Sequence, residues 1–192
     1  FGPVDVDKFD YKKSRGDYYL SVCRLVPNKR VDLIIKAFNK LGYPLVVVGD
    51  GPEMLKIRKL ANQNIKLLGY QDDISIKKLM ERCRAFVYAG VEDFGLTPVE
   101  AMSAGSPVIA LGKGGLLDTV NCITQKNDFK TGLLFKEQTS QSIYDSVSWF
   151  EEGRVWEKFS PDLINQWARK FSKENFYLNF KNFLDNACND FY

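Results

Sequence analysis

Short apolar runs separated by stretches of helical periodicity set the pattern of this chain. Tyr18–Cys23, Leu45–Val48, Ile65–Leu68, Ala85–Tyr88, Val108–Leu111 and Leu133–Phe135 are strand-length and rich in β-branched and aromatic residues. Several are apolar at every position rather than alternating, as strands covered on both faces require. After the first run, Val31, Ile34, Ile35, Phe38 and Leu41 recur near the 3.6-residue helical period. Ile74, Lys77, Lys78, Leu79 and Cys83 mark a second, more polar helix. The alternation of strand and helix predicts an α/β fold: a doubly wound, mainly parallel, Rossmann-like sheet with right-handed crossovers. From about Gln138 onward only helical patterns follow. Three segments are therefore expected: an entry connector over 1–16, an α/β body over 17–160, and C-terminal helices over 161–192 that pack on the body or on a partner domain.

Sheets of this kind bind ligands in a crevice at the carboxyl ends of their strands. Arg24, Gly49, Gly69, Gly90 and Gly112 each lie just after a candidate strand. Their loops are expected to share one crevice.

Composition narrows the chemistry. The chain has 192 residues and a formal net charge of +3, enough for one domain and too balanced to imply nucleic acid or an anionic membrane as the main partner. There is no histidine, and the four cysteines, Cys23, Cys83, Cys122 and Cys188, form no C-x-x-C pair. A zinc site by familiar spacing is excluded, and buried free thiols in a reducing, cytoplasmic compartment are expected. Proton chemistry must run on carboxylates, lysine, arginine, hydroxyls and backbone dipoles, or on groups outside the chain. No apolar run approaches the roughly 20 residues of a membrane span, and no leader pattern is visible. The opening Phe1-Gly2-Pro3-Val4-Asp5 reads as an extended connector without an initiator methionine, as in a piece of a longer protein.

The most informative stretch runs from Glu92 to Ile109. Pro98 suits the first position of a helix and Thr97 its N-cap, with Gly105 closing the helix before Pro107. A glycine-bearing loop feeding a helix start offers free backbone donors to an anion. Two readings of Glu100 stay open: closing a Thr97–Glu100 capping box, or binding a ligand. Glu92 is either a solvated loop carboxylate or a site residue. Gly49-Asp50-Gly51 and Gly112-Lys113-Gly114-Gly115 fail the dinucleotide fingerprint, with Met54 and Leu117 where its last glycine belongs. Asp5-Val6-Asp7 has the D-x-D form of some metal-dependent enzymes, but it follows a proline connector rather than a strand and reads as linker. Phe171, Phe176, Phe180, Phe183 and Leu184 form an apolar stripe on the tail. It is expected to pack on a domain rather than lie in a membrane, since Glu174 and Asp185 dilute any basic face.

Glu92 and Glu100, eight positions apart, with Phe94-Gly95-Leu96, Pro98, Glu100-Ala101-Met102 and Gly105-Ser106-Pro107-Val108-Ile109, resemble the signature of retaining family 4 glycosyltransferases, two-domain enzymes of GT-B architecture. Arg24-Leu25-Val26-Pro27-Asn28-Lys29 resembles that family's diphosphate-binding segment. Val46–Pro52 and Leu68-Gly69-Tyr70 resemble its successive loops, and Pro3-Val4-Asp5 its interdomain linker. The resemblance implies that Arg24 and Lys29 hold the donor diphosphate and Glu100 the ribose. It implies that Glu92, the catalytic candidate, holds hydroxyls of the transferred sugar. Gly51 and the backbone of Phe94, Gly95, Leu96 and Thr97 would meet the diphosphate and sugar, and Gly69 and Tyr70 the base. No metal or other cofactor is implied. The donor would be GDP-mannose first or a UDP-hexose second. The acceptor would be a glycan or lipid-linked glycan bound mainly by a preceding domain, in a protein that is cytoplasmic or peripheral at the cytoplasmic membrane face. Two alternatives remain at this stage: a non-catalytic nucleotide-sugar-binding module and a sugar-nucleotide epimerase of similar architecture. Asn121–Thr131 is longer and more polar than the family's loop there.

Overall fold

The computed structural model describes residues 2–124 and 129–189; the middle of the Asn121–Thr131 stretch and the chain ends lie outside the described residues. Six strands, β1 (Tyr19–Val22), β2 (Leu45–Val48), β3 (Ile65–Leu67), β4 (Ala85–Tyr88), β5 (Val108–Leu111) and β6 (Gly132–Phe135), form one sheet in the order β3-β2-β1-β4-β5-β6. Every pairing is parallel; Leu20 of β1 stands beside Val46 on one side and Phe86 on the other. β1, β2, β4 and β5 are buried at every position, which is why their sequences do not alternate. The doubly wound, Rossmann-like fold expected from the pattern is the fold observed.

The helices are α1 (Val31–Leu41), α2 (Met54–Leu60), α3 (Asp73–Met80), α4 (Leu96–Ser103), α5 (Leu116–Thr119), α6 (Ser140–Glu152), α7 (Pro161–Ala168) and α8 (Lys173–Asn189). α1 buries Val31, Leu33, Ile34, Ile35, Ala37 and Phe38 and packs against α6, while α4 packs against α7. α3 ends at Met80, short of Cys83, which lies in the core. Asp72 starts α3 by accepting from the Ser75 amide at 2.7 Å. Among the described residues no helix is long and apolar enough to cross a membrane.

The connector is not simply extended. It makes a 3-10 turn at Val6–Lys8 and is fastened to the start of α8. The Val4 amide donates to the Phe171 carbonyl at 2.9 Å, and Asp5 and Asp7 pair with Lys173 and Arg169 at 2.7 and 2.9 Å. The D-x-D carboxylates thus form exposed pairs beside a junction that the Val4–Phe171 backbone bond anchors. At the far end of the sheet Arg15 is half-buried and donates to Ser106 Oγ and the Ala104 carbonyl, both at 2.6 Å. Beyond Phe176, α8 leaves Tyr177, Leu178, Phe180 and Phe183 exposed. The tail stripe therefore does not pack on the α/β body over most of its length. Two of the four thiols also depart from expectation, Cys23 being partly covered and Cys188 exposed.

At the carboxyl ends of β1, β2 and β3 the loops are bound to one another through backbone. Leu25 donates to the Asp50 carbonyl at 2.9 Å, Glu53 to the Leu25 carbonyl at 3.1 Å and Gly49 to the Gly69 carbonyl at 2.8 Å. These contacts need a chain without side chains at the crossing. Gly49 has φ of 134°, and a Cβ there would stand 1.8 Å from the Cys23 carbonyl oxygen. No L-residue fits. Gly49→Ala should therefore destabilise the domain by about 3 kcal/mol or more, read as a lower urea midpoint. A variant within about 0.5 kcal/mol of the wild type would show that the crossing tolerates a side chain.

Candidate functional site

The strand order makes β1 the switch strand. From it the chain runs outward through β2 to β3, then returns to lay β4 on the other side of β1, and such a reversal opens a crevice between the two outgoing loops. Lys29 follows β1 on a three-residue 3-10 turn, Pro27–Lys29, and Glu92 follows β4. The two side chains meet: Lys29 Nζ donates to Glu92 Oε1, and the Tyr88 hydroxyl at the end of β4 donates to the same oxygen. Lys29 Nζ also lies 5.9 Å from the Tyr88 ring centroid. With side-chain exposures of 19% and 23%, this pair is largely withdrawn from solvent.

Burial, and then the hydrogen bond to Glu92, push the Tyr88 phenol far above its ordinary value, so it remains a donor. Burial pushes the neighbouring Cys23 thiol up to about 12; Lys29 opposes that rise and Glu92 adds to it. Cys23 therefore lines the site as a neutral thiol rather than as a nucleophile.

Glu92 is held from behind by backbone. Its carbonyl accepts from the Gly115 amide at 2.7 Å, and it forms an isolated parallel bridge with Gly114. A Cβ on Gly115 would stand 2.2 Å from the Asp93 carbonyl oxygen. One turn earlier, Gln138 Nε2 donates to the Ala89 carbonyl at 2.8 Å. Tyr88, Gly114, Gly115 and Gln138 are thus positioning residues that the sequence reading did not assign. For the glycines a signal existed: a cluster directly after a strand marks a close backbone approach.

α4 begins two residues earlier than expected. Gly95, with φ of 86°, is its N-cap, and the first intrahelical bond runs from the Val99 amide to the Gly95 carbonyl at 3.1 Å. Thr97 and Pro98 are consequently the second and third helical positions, and no capping box forms. The physical reason is that a glycine can enter the helix from the left-handed region, while Pro98 still sits where an N–H has no intrahelical partner. Released from capping, Glu100 points to the entry turn, where its Oε1 accepts from Lys8 Nζ at 2.7 Å. The Leu96 and Thr97 amides precede the first helical bond, at the positive end of the helix dipole.

Beside this cluster lies an open groove of about 370 Å³, lined among others by Cys23, Arg24, Gly49, Asp50, Tyr70 and Thr97. It brings together the ends of β1 and β2, the loop after β3 and the start of α4. Arg24 is exposed, and Tyr70 is 80% exposed at the rim. Gly69 borders the groove through its bond to Gly49, and Gly51 through the loop that Asp50 Oδ1 closes by accepting from the Gly51 amide at 2.7 Å. Leu96 is half exposed, whereas the Phe94 ring turns to Phe171, with centroids 5.6 Å apart. The structure therefore groups Arg24, Tyr70 and Thr97 in the groove, Lys29 with Glu92 beside Cys23, and Glu100 with Lys8 one turn along α4.

Comparison with known proteins gives the family of the chain. The model of the family described as glycosyl transferases group 1 matches residues 5–170. An uncharacterised glycosyltransferase of Methanocaldococcus jannaschii is 30% identical over 168 residues, covering 84% of this chain and 46% of that protein. A GDP-mannose-dependent alpha-(1-6)-phosphatidylinositol monomannoside mannosyltransferase of Mycobacterium tuberculosis is 29% identical over 160 residues, covering 72% of this chain and 39% of that protein. The chain thus spans less than half the length of these relatives. In structure it is similar to Anabaena HepE, crystallised with UDP and glucose, with a TM-score of 0.73 at 22% identity over 89% of this chain and 48% of that one. With the sheet order, the switch-point cluster and a family match over most of its length, this chain belongs to the glycosyl transferases group 1 family.

Proposed function

We propose that this chain is the C-terminal, donor-binding half of a retaining, family 4 GT-B glycosyltransferase. Residues 17–160 form the nucleotide-sugar body, 1–16 the interdomain linker and 161–192 the closing helices. The reaction is transfer of a hexose from a nucleoside diphosphate sugar to a glycan or lipid-linked acceptor, which a preceding domain binds. The observation that carries this reading is the meeting of Lys29 and Glu92 across the switch point, beside a groove that holds Arg24 and the start of α4.

Breaking the sugar–phosphate bond leaves negative charge on the departing diphosphate. Arg24 offers a planar fork of donors and Lys29 a compact charge, and the Leu96 and Thr97 amides add a dipole end. Donors fixed in advance in this way stabilise a developing charge by a few kcal/mol each, so no divalent metal is required. Glu92, whose carboxylate accepts from Lys29 and Tyr88, holds hydroxyls of the transferred sugar. The backbone of Phe94 and Gly95 follows that sugar, and Gly51 meets the diphosphate. Glu100 accepts from the ribose, and Gly69 and Tyr70 flank the base. GDP-mannose is the first donor, supported by the mannosyltransferase relative, and a UDP-hexose the second, supported by the UDP-bound structural neighbour.

Calorimetry in EDTA with GDP-mannose, UDP-glucose and ADP-glucose tests the donor directly; binding is expected, strongest for GDP-mannose. Arg24→Ala should weaken diphosphate binding about tenfold or more. Glu92→Gln should leave nucleotide affinity within about threefold, yet cut transfer by the full-length enzyme roughly 100-fold. Affinity that vanishes in EDTA, or native transfer by Glu92→Gln, would contradict the proposal.

A further inference from the structure

Lys8 belongs to the linker segment, to which the donor reading gives no binding role, yet its ammonium reaches one of the two acids in that reading. It ends the entry turn Val6–Lys8, 92 positions from Glu100, and its Nζ donates to Glu100 Oε1 at 2.7 Å. The lysine is 37% exposed and the glutamate 18%. A lone ion pair this close to solvent contributes little to stability. Its surroundings, however, are fixed. Val6 beneath the turn is buried, and Lys8 Nζ stands 4.9 Å from the centroid of the buried Phe9 ring. The segment is anchored by buried Val4, whose amide donates to the Phe171 carbonyl at 2.9 Å; the exposed pairs of Asp5 with Lys173 and Asp7 with Arg169 add little to this. The ammonium is thus presented from a clamped element rather than from a free tail.

Glu100 needs such a partner. With Gly95 as the N-cap of α4, the carboxylate has no capping work, and an unpaired glutamate on a helix surface samples several rotamers. A charge-assisted bond to one oxygen selects one of them and leaves the second oxygen, with its lone pairs, open to accept hydroxyl protons. Resting on the donor-site reading above, we infer that Lys8 is a positioning residue. It orients Glu100 toward the ribose, so that recognition of the ribose hydroxyls depends on how the entry segment is seated. The opposite possibility has a different signature. Were Lys8 only a stand-in that the ribose must displace, its removal would tighten nucleotide binding.

The test is a ratio, because removing a cation near a diphosphate weakens every nucleotide through simple Coulomb attraction, whatever the sugar. Affinities of GDP and 2′,3′-dideoxy-GDP, and of UDP and its dideoxy form, are measured by calorimetry for the wild type, Lys8→Met, Lys8→Arg and Glu100→Gln. The wild type should prefer the ribonucleotide by about tenfold or more, the yield of a hydrogen bond to a charged group. Glu100→Gln and Lys8→Met should both reduce that preference to about threefold or less, Lys8→Arg should restore it, and melting temperatures should stay close to the wild type. Lys8→Met with the wild-type preference, or with tighter GDP binding, overturns the inference while leaving the donor site intact. A wild type that binds no nucleotide overturns the donor reading and this inference together.

Discussion

The arrangement depends on one topological constraint: β1 lies between β2 and β4, so the loops leaving β1 and β4 diverge at the carboxyl edge and leave a crevice between them. Lys29 comes from one loop and Glu92 with Tyr88 from the side of β4, and they meet across that crevice because β1 and β4 are neighbours in the sheet. Withdrawing such a pair from water costs desolvation energy that works against its attraction, so it is weak evidence of a stabilising role. Stability alone gives little reason to keep it. A ligand bearing both negative charge and hydroxyls, entering at that reversal, would give one.

Backbone proximity does the rest of the positioning. Gly49 lets the loop after β2 cross the Cys23 carbonyl, which fixes the segment carrying Arg24. Gly115 lets the loop after β5 take the Glu92 carbonyl as acceptor, which fixes the segment carrying that acid. Both adjustments are made by omitting a side chain, so the groove is set by parts of the chain that contribute no functional group to it. The entry segment is also held through backbone at longer range: the Val4 amide donates to the Phe171 carbonyl, and the Phe94 ring rests on the Phe171 ring.

Much of this was legible in the sequence. The strands were readable because burial on both faces disfavours polar residues within them, Ser21 of β1 being the exception, and α1 because its apolar stripe faces inward. Arg24 was placed by the rule that strand ends gather ligands, and Tyr70 and Thr97 by the family resemblance; the three line one groove. The start of α4 was misjudged because Thr97-Pro98 is a good local opening. That local preference lost to Gly95, whose left-handed conformation suits both the helix entry and the packing of this loop against Leu116. Tyr88 was not legible as a site residue, since a tyrosine ending a strand looks like core and its hydroxyl partner lies four positions on. The Lys8–Glu100 pair spans the chain, and nothing in local spacing announces it. The tail stripe was readable as apolar, but which surface covers it is not a property of the tail.

The central claim is that one crevice at the β1/β4 reversal holds a nucleoside diphosphate. Backbone amide shifts of this chain, followed by NMR during titration with GDP and with UDP in EDTA, test it most directly. The account predicts that at least one of the two moves the amides of 23–29, 49–51, 69–71 and 92–100 together, with a common saturation curve. Saturable shifts confined to the opposite edge near Asn62 and Asn64, or to α8, would contradict it, as would no saturable shift with either nucleotide.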